Sequence, residues 1–326
     1  MPVGLVCSTE HQTDMSAALF SNLSLPQWQK ILIWALFGFV ASAPVSAGEN
    51  AVAEPPAEAW QVLFNGENLD GWIAKLVGEP AGSDVRQTFR VADGVLQVNY
   101  SDYDDFAGQF GHLFYQAPYA YYRLRLEYRF TGEQASGGPG AWAQRNSGVM
   151  VHAQSPGSML LDQAFPLSIE AQFLGGLSDG VGRPTGNVCT PGTDIIYQGS
   201  IYPRHCLYSS SPTLDSDQWV AFEMLVLGSG HIEHSVNAQP VLSYQLPQFG
   251  GSGVATGYDP AVKKVGQLLH GGYLALQSES HPVEFRKIEL LNLEGCMDTK
   301  SPRYREYFVK SAPHLCEPAT AVVQTP

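Results

Sequence analysis

The sequence predicts an all-β domain, a sandwich of two antiparallel sheets, and three observations lead there. Glycine and proline account for 33 and 22 of the 326 residues and aromatics for 11%, a mix that suits many short strands joined by turns. Charged residues are only 15%, well below the roughly 25% of an average domain, which argues against disorder and against long solvated helices. Residues 121–130 then alternate, with Leu124, Leu126, Tyr128 and Phe130 on one face and Arg123, Arg125, Glu127 and Arg129 on the other. That is the period of a strand with one buried face.

The first 47 residues are expected to be a secretory signal peptide. An apolar run (ILIWALFGFV, residues 31–40) follows Lys30 and precedes the small-x-small triplet Val45-Ser46-Ala47, the pattern of an h-region with its cleavage site. The run is too short to cross a hydrocarbon core, which takes about 20 residues. Met15 is the expected start, since residues 1–14 carry Glu10 and Asp14 and look unlike an n-region; an uncleaved N-terminal anchor is the alternative. Export implies a periplasmic or secreted protein. Residues 48–59 (GENAVAEPPAEA) read as a linker.

The β domain is expected over residues 60–295. Strands are read at 60–64, at 88–92 and 95–98 around the Asp93-Gly94 turn, and at 121–130, 147–152, 167–174, 219–227, 231–236, 241–244, 273–278 and 283–293, the last with a bend. Asp-Gly between two apolar runs is a strong hairpin signal. Segments 137–140, 175–186 and 247–257 read as long loops, where binding groups usually sit on a β scaffold. The best helical guess is a turn or two within residues 299–310, inside a C-terminal tail over 296–326.

Loss of the leader would remove Cys7 and leave Cys189, Cys206, Cys296 and Cys316. An even number in an exported chain favours disulfides. The preferred pairing is Cys189 with Cys206 and Cys296 with Cys316, because each closes a loop of about 20 residues and contributes roughly 3 kcal/mol by chain entropy. Metal binding is the alternative, without a C-x-x-C spacing to support it.

Composition also excludes functions. The net charge of −13 and the lack of any Lys/Arg run leave no basic footprint for nucleic acid. The sequence has no G-x-G-x-x-G or G-x-x-x-x-G-K motif and no H-E-x-x-H or EF-hand loop, so no cofactor and no metal are predicted. Ca²⁺ held by loop carboxylates and carbonyls is the one cation left open.

The order of short motifs is more specific than any one of them. Leu63-Phe64-Asn65-Gly66 and Leu69-Asp70-Gly71-Trp72 come first, then Val91-Ala92-Asp93-Gly94-Val95-Leu96, then Asn146-Ser147-Gly148-Val149 and Ile169-Glu170-Ala171-Gln172. Gly272-Tyr273-Leu274-Ala275-Leu276-Gln277 and Val283-Glu284-Phe285-Arg286-Lys287-Ile288 close the series. In this order, over residues 58–293, they resemble the 3-keto-disaccharide hydrolase domain family. The resemblance implies a concanavalin A-like jelly-roll sandwich and cleavage of glycosides oxidised to a ketone at C3. The chain departs from the family pattern at Phe173-Leu174-Gly175-Gly176, where an acidic residue is frequent, at His152, where Arg is common, and in the cysteine-bearing loop 182–206.

Glu170 and Gln172 share one face of their strand, about 7 Å apart, a spacing that suits a sugar ring lying on the sheet. A usual glycosidase needs two carboxyl groups, so a second would come from Glu279, Glu223 or Glu284. A C3 ketone opens another path, elimination across C1–C2 followed by hydration, which needs a base, an oxyanion donor and an acid. Glu170 or His152 is the candidate base, and Arg145, Arg286 or Asn146 the oxyanion donor. Gln172, Gln277, Glu279 and His281 are candidate substrate contacts, and Trp142 the candidate aromatic platform. Arg286 reads slightly better as half of a structural ion pair. His231 and His234 fall on opposite strand faces, against a shared metal. The expected partner is an oxidised disaccharide or other glycoside, with no nucleic acid and no membrane span after cleavage. The alternative is a non-catalytic carbohydrate-binding module on the same fold.

Overall fold

The computed structural model describes residues 55–251 and 253–317; the expected signal peptide and most of the linker lie outside the described residues. Strands form because the sequence alternates. In Tyr121–Phe130 every second residue is buried and the arginines between them are half-exposed. Val220–Leu227 and His231–Val236 repeat that pattern beside it. These strands belong to a ten-stranded sheet whose order is Ser200–Ile201, Thr193–Tyr197, Gln239–Phe249, His231–Val236, Val220–Leu227, Tyr121–Phe130, Val283–Asn292, Val95–Val98 and Phe89–Ala92, with Gln61–Val62 also pairing to Val283–Asn292.

The second sheet has seven strands in the order Cys206–Leu207, Asn187–Cys189, Ile169–Leu174, Asn146–Ala153, Tyr273–Ser278, Gly111–Tyr115 and Trp72–Leu76. All pairings in both sheets are antiparallel. Their inner faces share one apolar core, in which Phe173 stacks on Tyr128 with ring centroids 4.1 Å apart. The fold is the jelly-roll sandwich that the sequence implied. Among the described residues no helix is long and apolar enough to cross a membrane.

Both disulfides are present, Cys189–Cys206 and Cys296–Cys316. The second ties down a tail in which Glu294–Gly295 pairs with Lys310–Ser311. Residues 299–310 form turns and no helix; among the described residues of the tail the one helical turn is Pro313–Leu315, a 3-10 turn. Pro302 falls within 299–310, and proline interrupts the backbone bonding that a longer helix requires. The segment 182–206, read as a loop, contains Asn187–Cys189, Thr193–Tyr197 and Ser200–Ile201. Strands Trp72–Leu76 and Gly111–Tyr115 carry no alternation; all of Gly111–Tyr115 is buried, so both faces are covered.

Candidate active site

The outer face of the seven-stranded sheet carries two contrasting cross-strand rows. One is apolar apart from a single residue: Phe114, Ala275, Met150, Glu170, Cys189 and Cys206 stand opposite one another in that order. The next is polar: Lys75 opposes His112, which opposes Gln277, while Gly148 opposes Gln172, which opposes Asn187. The pairing of Leu276 with Val149, continued one residue, joins Gln277 to Gly148; continued three, it brings Glu279 beside Asn146. Directly opposed residues send their side chains to the same face.

Gly148 makes room for the site. A Cβ there would lie 2.9 Å from Glu170 Oε1 and 2.8 Å from the Ala171 carbonyl oxygen, so the Glu170 carboxyl leans over the glycine toward Gln277. Glu170 and Glu279 are 5% and 4% exposed. Burial pushes Glu170 up, to about 8, against a smaller opposing pull from the Gln277 amide. Glu279 is pushed up as well, by burial first and then by the negative charge of Glu170. Two buried carboxyls this close cannot both ionise cheaply, so the pair stays protonated at neutral pH and releases its first proton only toward pH 8.

Several buried polar atoms around this pair have no protein partner: Glu170 Oε1, Gln277 Oε1, Asn146 Oδ1 and both ring nitrogens of His112 and of His281. Buried polar groups are ordinarily hydrogen-bonded. Such a concentration of unused donors and acceptors on one sheet face is what a polyhydroxylated ligand would satisfy. His112 was not singled out in the sequence. It lies in a strand with no alternation, and only its register opposite Gln277 brings it here. Burial lowers it to about 3, so its ring is neutral.

Arg145, His281 and Trp142 form one end of the face. Arg145 has φ of 45°, and its guanidinium bonds Asp217 at 2.6 Å and the Ser216 carbonyl oxygen at 2.5 Å. Its neighbour Arg183 donates to the Gly175 carbonyl oxygen at 2.7 Å. His281 is lowered to about 4, by burial and then by Arg145 and the smaller effect of Arg183, with Asp217 opposing. Trp142 is 54% exposed, and its carbonyl oxygen accepts from the Asn146 amide at 3.4 Å.

Two candidates are not brought here. His152 sits at a bulge, with φ of 50° and a register shift opposite Tyr273 and Ala275. The extra residue turns its side chain off the polar rows, and Nε2 lies 3.0 Å from the Gly228 carbonyl oxygen; burial lowers it to about 4. Arg286 is on the other sheet, paired with Glu127 at 2.6 Å and lying over Trp219. Glu223 and Glu284 are also on that sheet, paired with Arg123 and Arg129. A depression of about 480 Å³ lies there too, lined by Arg123, Arg125, Glu127, Glu223 and Glu289. Its charges neutralise one another, which leaves little reactive capacity. Gln172 stays beside the site, its Oε1 accepting from Asn187 at 3.1 Å. Among the described residues, Cys189, His205 and Cys206 are the group of three side chains suited to a metal, and its cysteines are joined in the disulfide.

Residues 59–291 match the family of 3-keto-alpha-glucoside-1,2-lyase-like domains. The chain belongs to that family. No curated protein matches it. Among solved structures, it is 18% identical to a candidate glycosyl hydrolase from Parabacteroides distasonis, with 72% of this chain and 99% of that one covered and a TM-score of 0.44. It is 8% identical to a carbohydrate-binding module from Bacillus subtilis, with 68% and 96% covered and a TM-score of 0.38. The family's motifs fall on the site: Asn146 to Gly148, Glu170 and Gln172, and Gln277 lie on neighbouring strands of one face.

Proposed function

We propose that the protein is an exported enzyme that cleaves 3-keto-glycosides by elimination followed by hydration. The observation that carries this reading is the buried pair Glu170 and Glu279, both pushed up and Glu279 further by the charge of Glu170, so that Glu279 keeps its proton when Glu170 ionises. A ketone at C3 acidifies the hydrogen on C2. Ionised Glu170 takes that proton, the C1–oxygen bond breaks, and a proton from Glu279 goes to the leaving oxygen. The product is an enone with a C1–C2 double bond, to which water then adds. The amides of Gln277 and Asn146, on the same face, are our candidate donors for the enolate oxygen, a role that pre-aimed dipoles fill well. A base with a raised pKa suits proton transfer near neutral pH. The lyase in the family's name fits the elimination step, and the two disulfides fit an oxidising compartment.

Exposed Trp142 favours a second reading, a module that holds sugar without cleaving it, since an indole platform needs no carboxyl chemistry. Incubation with a 3-keto-disaccharide, followed for free sugar, separates the two. Release that is lost in Glu170→Gln supports the enzyme. Unchanged release in that variant would remove Glu170 as the base, and saturable binding without release would favour the module.

A further inference from the structure

Past Glu279 the polar face ends in two guanidiniums that meet at Gly175. A Cβ on Gly175 would lie 2.5 Å from Arg145 Nε, and Arg183 donates to the Gly175 carbonyl oxygen at 2.7 Å. Arg183 also donates to the Trp142 carbonyl oxygen at 3.3 Å, the same oxygen that accepts from the Asn146 amide at 3.4 Å. One oxygen atom therefore ties Arg183 to the strand of the site. Its backbone is pinned too, the Arg183 N–H donating to Thr213 Oγ1 at 2.7 Å.

The two arginines differ in what neutralises them. Arg145 is paired with Asp217. Half-buried Arg183 forms no ion pair among the described residues: its guanidinium bonds neutral carbonyl oxygens, and the neighbouring Asp179 carboxylate accepts instead from the Val181 N–H at 2.9 Å. A guanidinium fixed in place without a counter-ion suits a planar or tetrahedral oxyanion. His281 points the same way. It is 4% exposed, and neither ring nitrogen has a protein partner. Its ring and the Arg145 guanidinium both lie against Phe130, 5.7 and 5.5 Å from that ring's centroid, and Arg145 Nε is a further buried N–H without a partner. Buried polar groups are rarely left so.

We propose that this end of the face is a leaving-group subsite for glycosides whose leaving group carries an oxyanion, a carboxylate or a sulfate, held by Arg183 and His281. That it is the leaving-group side rests on the reading of Glu279 as the acid. Glu279 stands beside Asn146 and two residues before His281, whereas Glu170 opposes Met150, further from the arginines. The part of the substrate beyond the breaking bond therefore lies toward Arg183. Exposed Trp142 supplies an apolar platform there for a ring. A neutral imidazole offers one donor and one acceptor, so His281 can bond the anion and an adjacent hydroxyl together.

The test compares three 3-keto-glucosides that differ only in the leaving group: 4-carboxyphenyl, 4-sulfooxyphenyl and the neutral 4-carbamoylphenyl. In wild type, kcat/KM for an anionic substrate is expected to exceed that for the carbamoyl one by about tenfold or more, and the ratio should shrink as salt is added. A gain for either anion supports the subsite, and the larger gain identifies the oxyanion. Arg183→Gln should bring the ratio toward unity, while Arg183→Lys, which keeps the charge and loses the fork, should retain part of it. Equal kcat/KM for all three in wild type, or an undiminished ratio in folded Arg183→Gln, would overturn the proposal; the wild-type comparison decides even if that variant does not fold. The three unoxidised glucosides are titrated in parallel by calorimetry. Tighter binding of the anionic ones, with no cleavage of any keto form, keeps the subsite and removes the enzyme; cleavage with no preference in rate or binding does the reverse.

Discussion

Glu170 is held where water is scarce, in a row otherwise made of Phe114, Ala275, Met150 and the disulfide. Its native proton affinity exceeds that of the unfolded chain, so between about pH 4.5 and 8 the native state binds more protons and stability falls as pH rises. Chemical denaturation across that range should show this slope, flattened in Glu170→Gln. Glu279→Gln removes the like charge beside Glu170 and should lower the Glu170 midpoint, read by the ¹³C-labelled side-chain carboxyl signal that disappears in Glu170→Gln; an unmoved midpoint or a rise would mean that the two groups do not face each other. Gly148→Ala would force a Cβ against Glu170 and the Ala171 carbonyl. We expect a loss of roughly 1–3 kcal/mol on thermal unfolding, as for other overpacked sites, with the Glu170 carboxyl displaced. Glu170, Gln277 and Glu279 were legible as candidates because the strand period and the family motifs single them out. His152 misled because a bulge, which no local pattern announces, turns it toward Gly228.

At the scale of elements, strands with one wet face were readable and strands with two covered faces were not. Tyr121–Phe130 declares itself by alternation. Gly111–Tyr115 is buried throughout and has no polar beat to read, so His112 within it also went unnoticed. The short strands within 187–201 hide among glycines and prolines because two or three residues carry too little pattern. The paired cysteines were legible from their spacing. Removing Cys296–Cys316, which closes a loop with a sequence separation of 20, should cost about 3 kcal/mol by the chain-entropy model. Thermal unfolding of C296S/C316S measures that cost, and the site's own titration should not follow it.

The whole molecule divides its two outer faces by chemistry. On the ten-stranded sheet, Arg123, Arg125, Arg129 and Arg286 are matched by Glu223, Glu289, Glu284 and Glu127, and the charges balance within the face. On the seven-stranded sheet, carboxyls are buried together and polar atoms are left unpartnered. Which face holds the chemistry was not readable from the sequence, because it depends on strand order, and non-neighbouring segments such as Asn146–Ala153 and Tyr273–Ser278 meet only in the fold. The most direct test is the pH dependence of 3-keto-glucoside cleavage by wild type and Glu170→Gln. A base at Glu170 predicts a rate that climbs with pH, is half-maximal near pH 8 and levels off above it, and that falls by about 10²-fold or more in the variant; cleavage at the wild-type rate in Glu170→Gln, with the same pH profile, would contradict it.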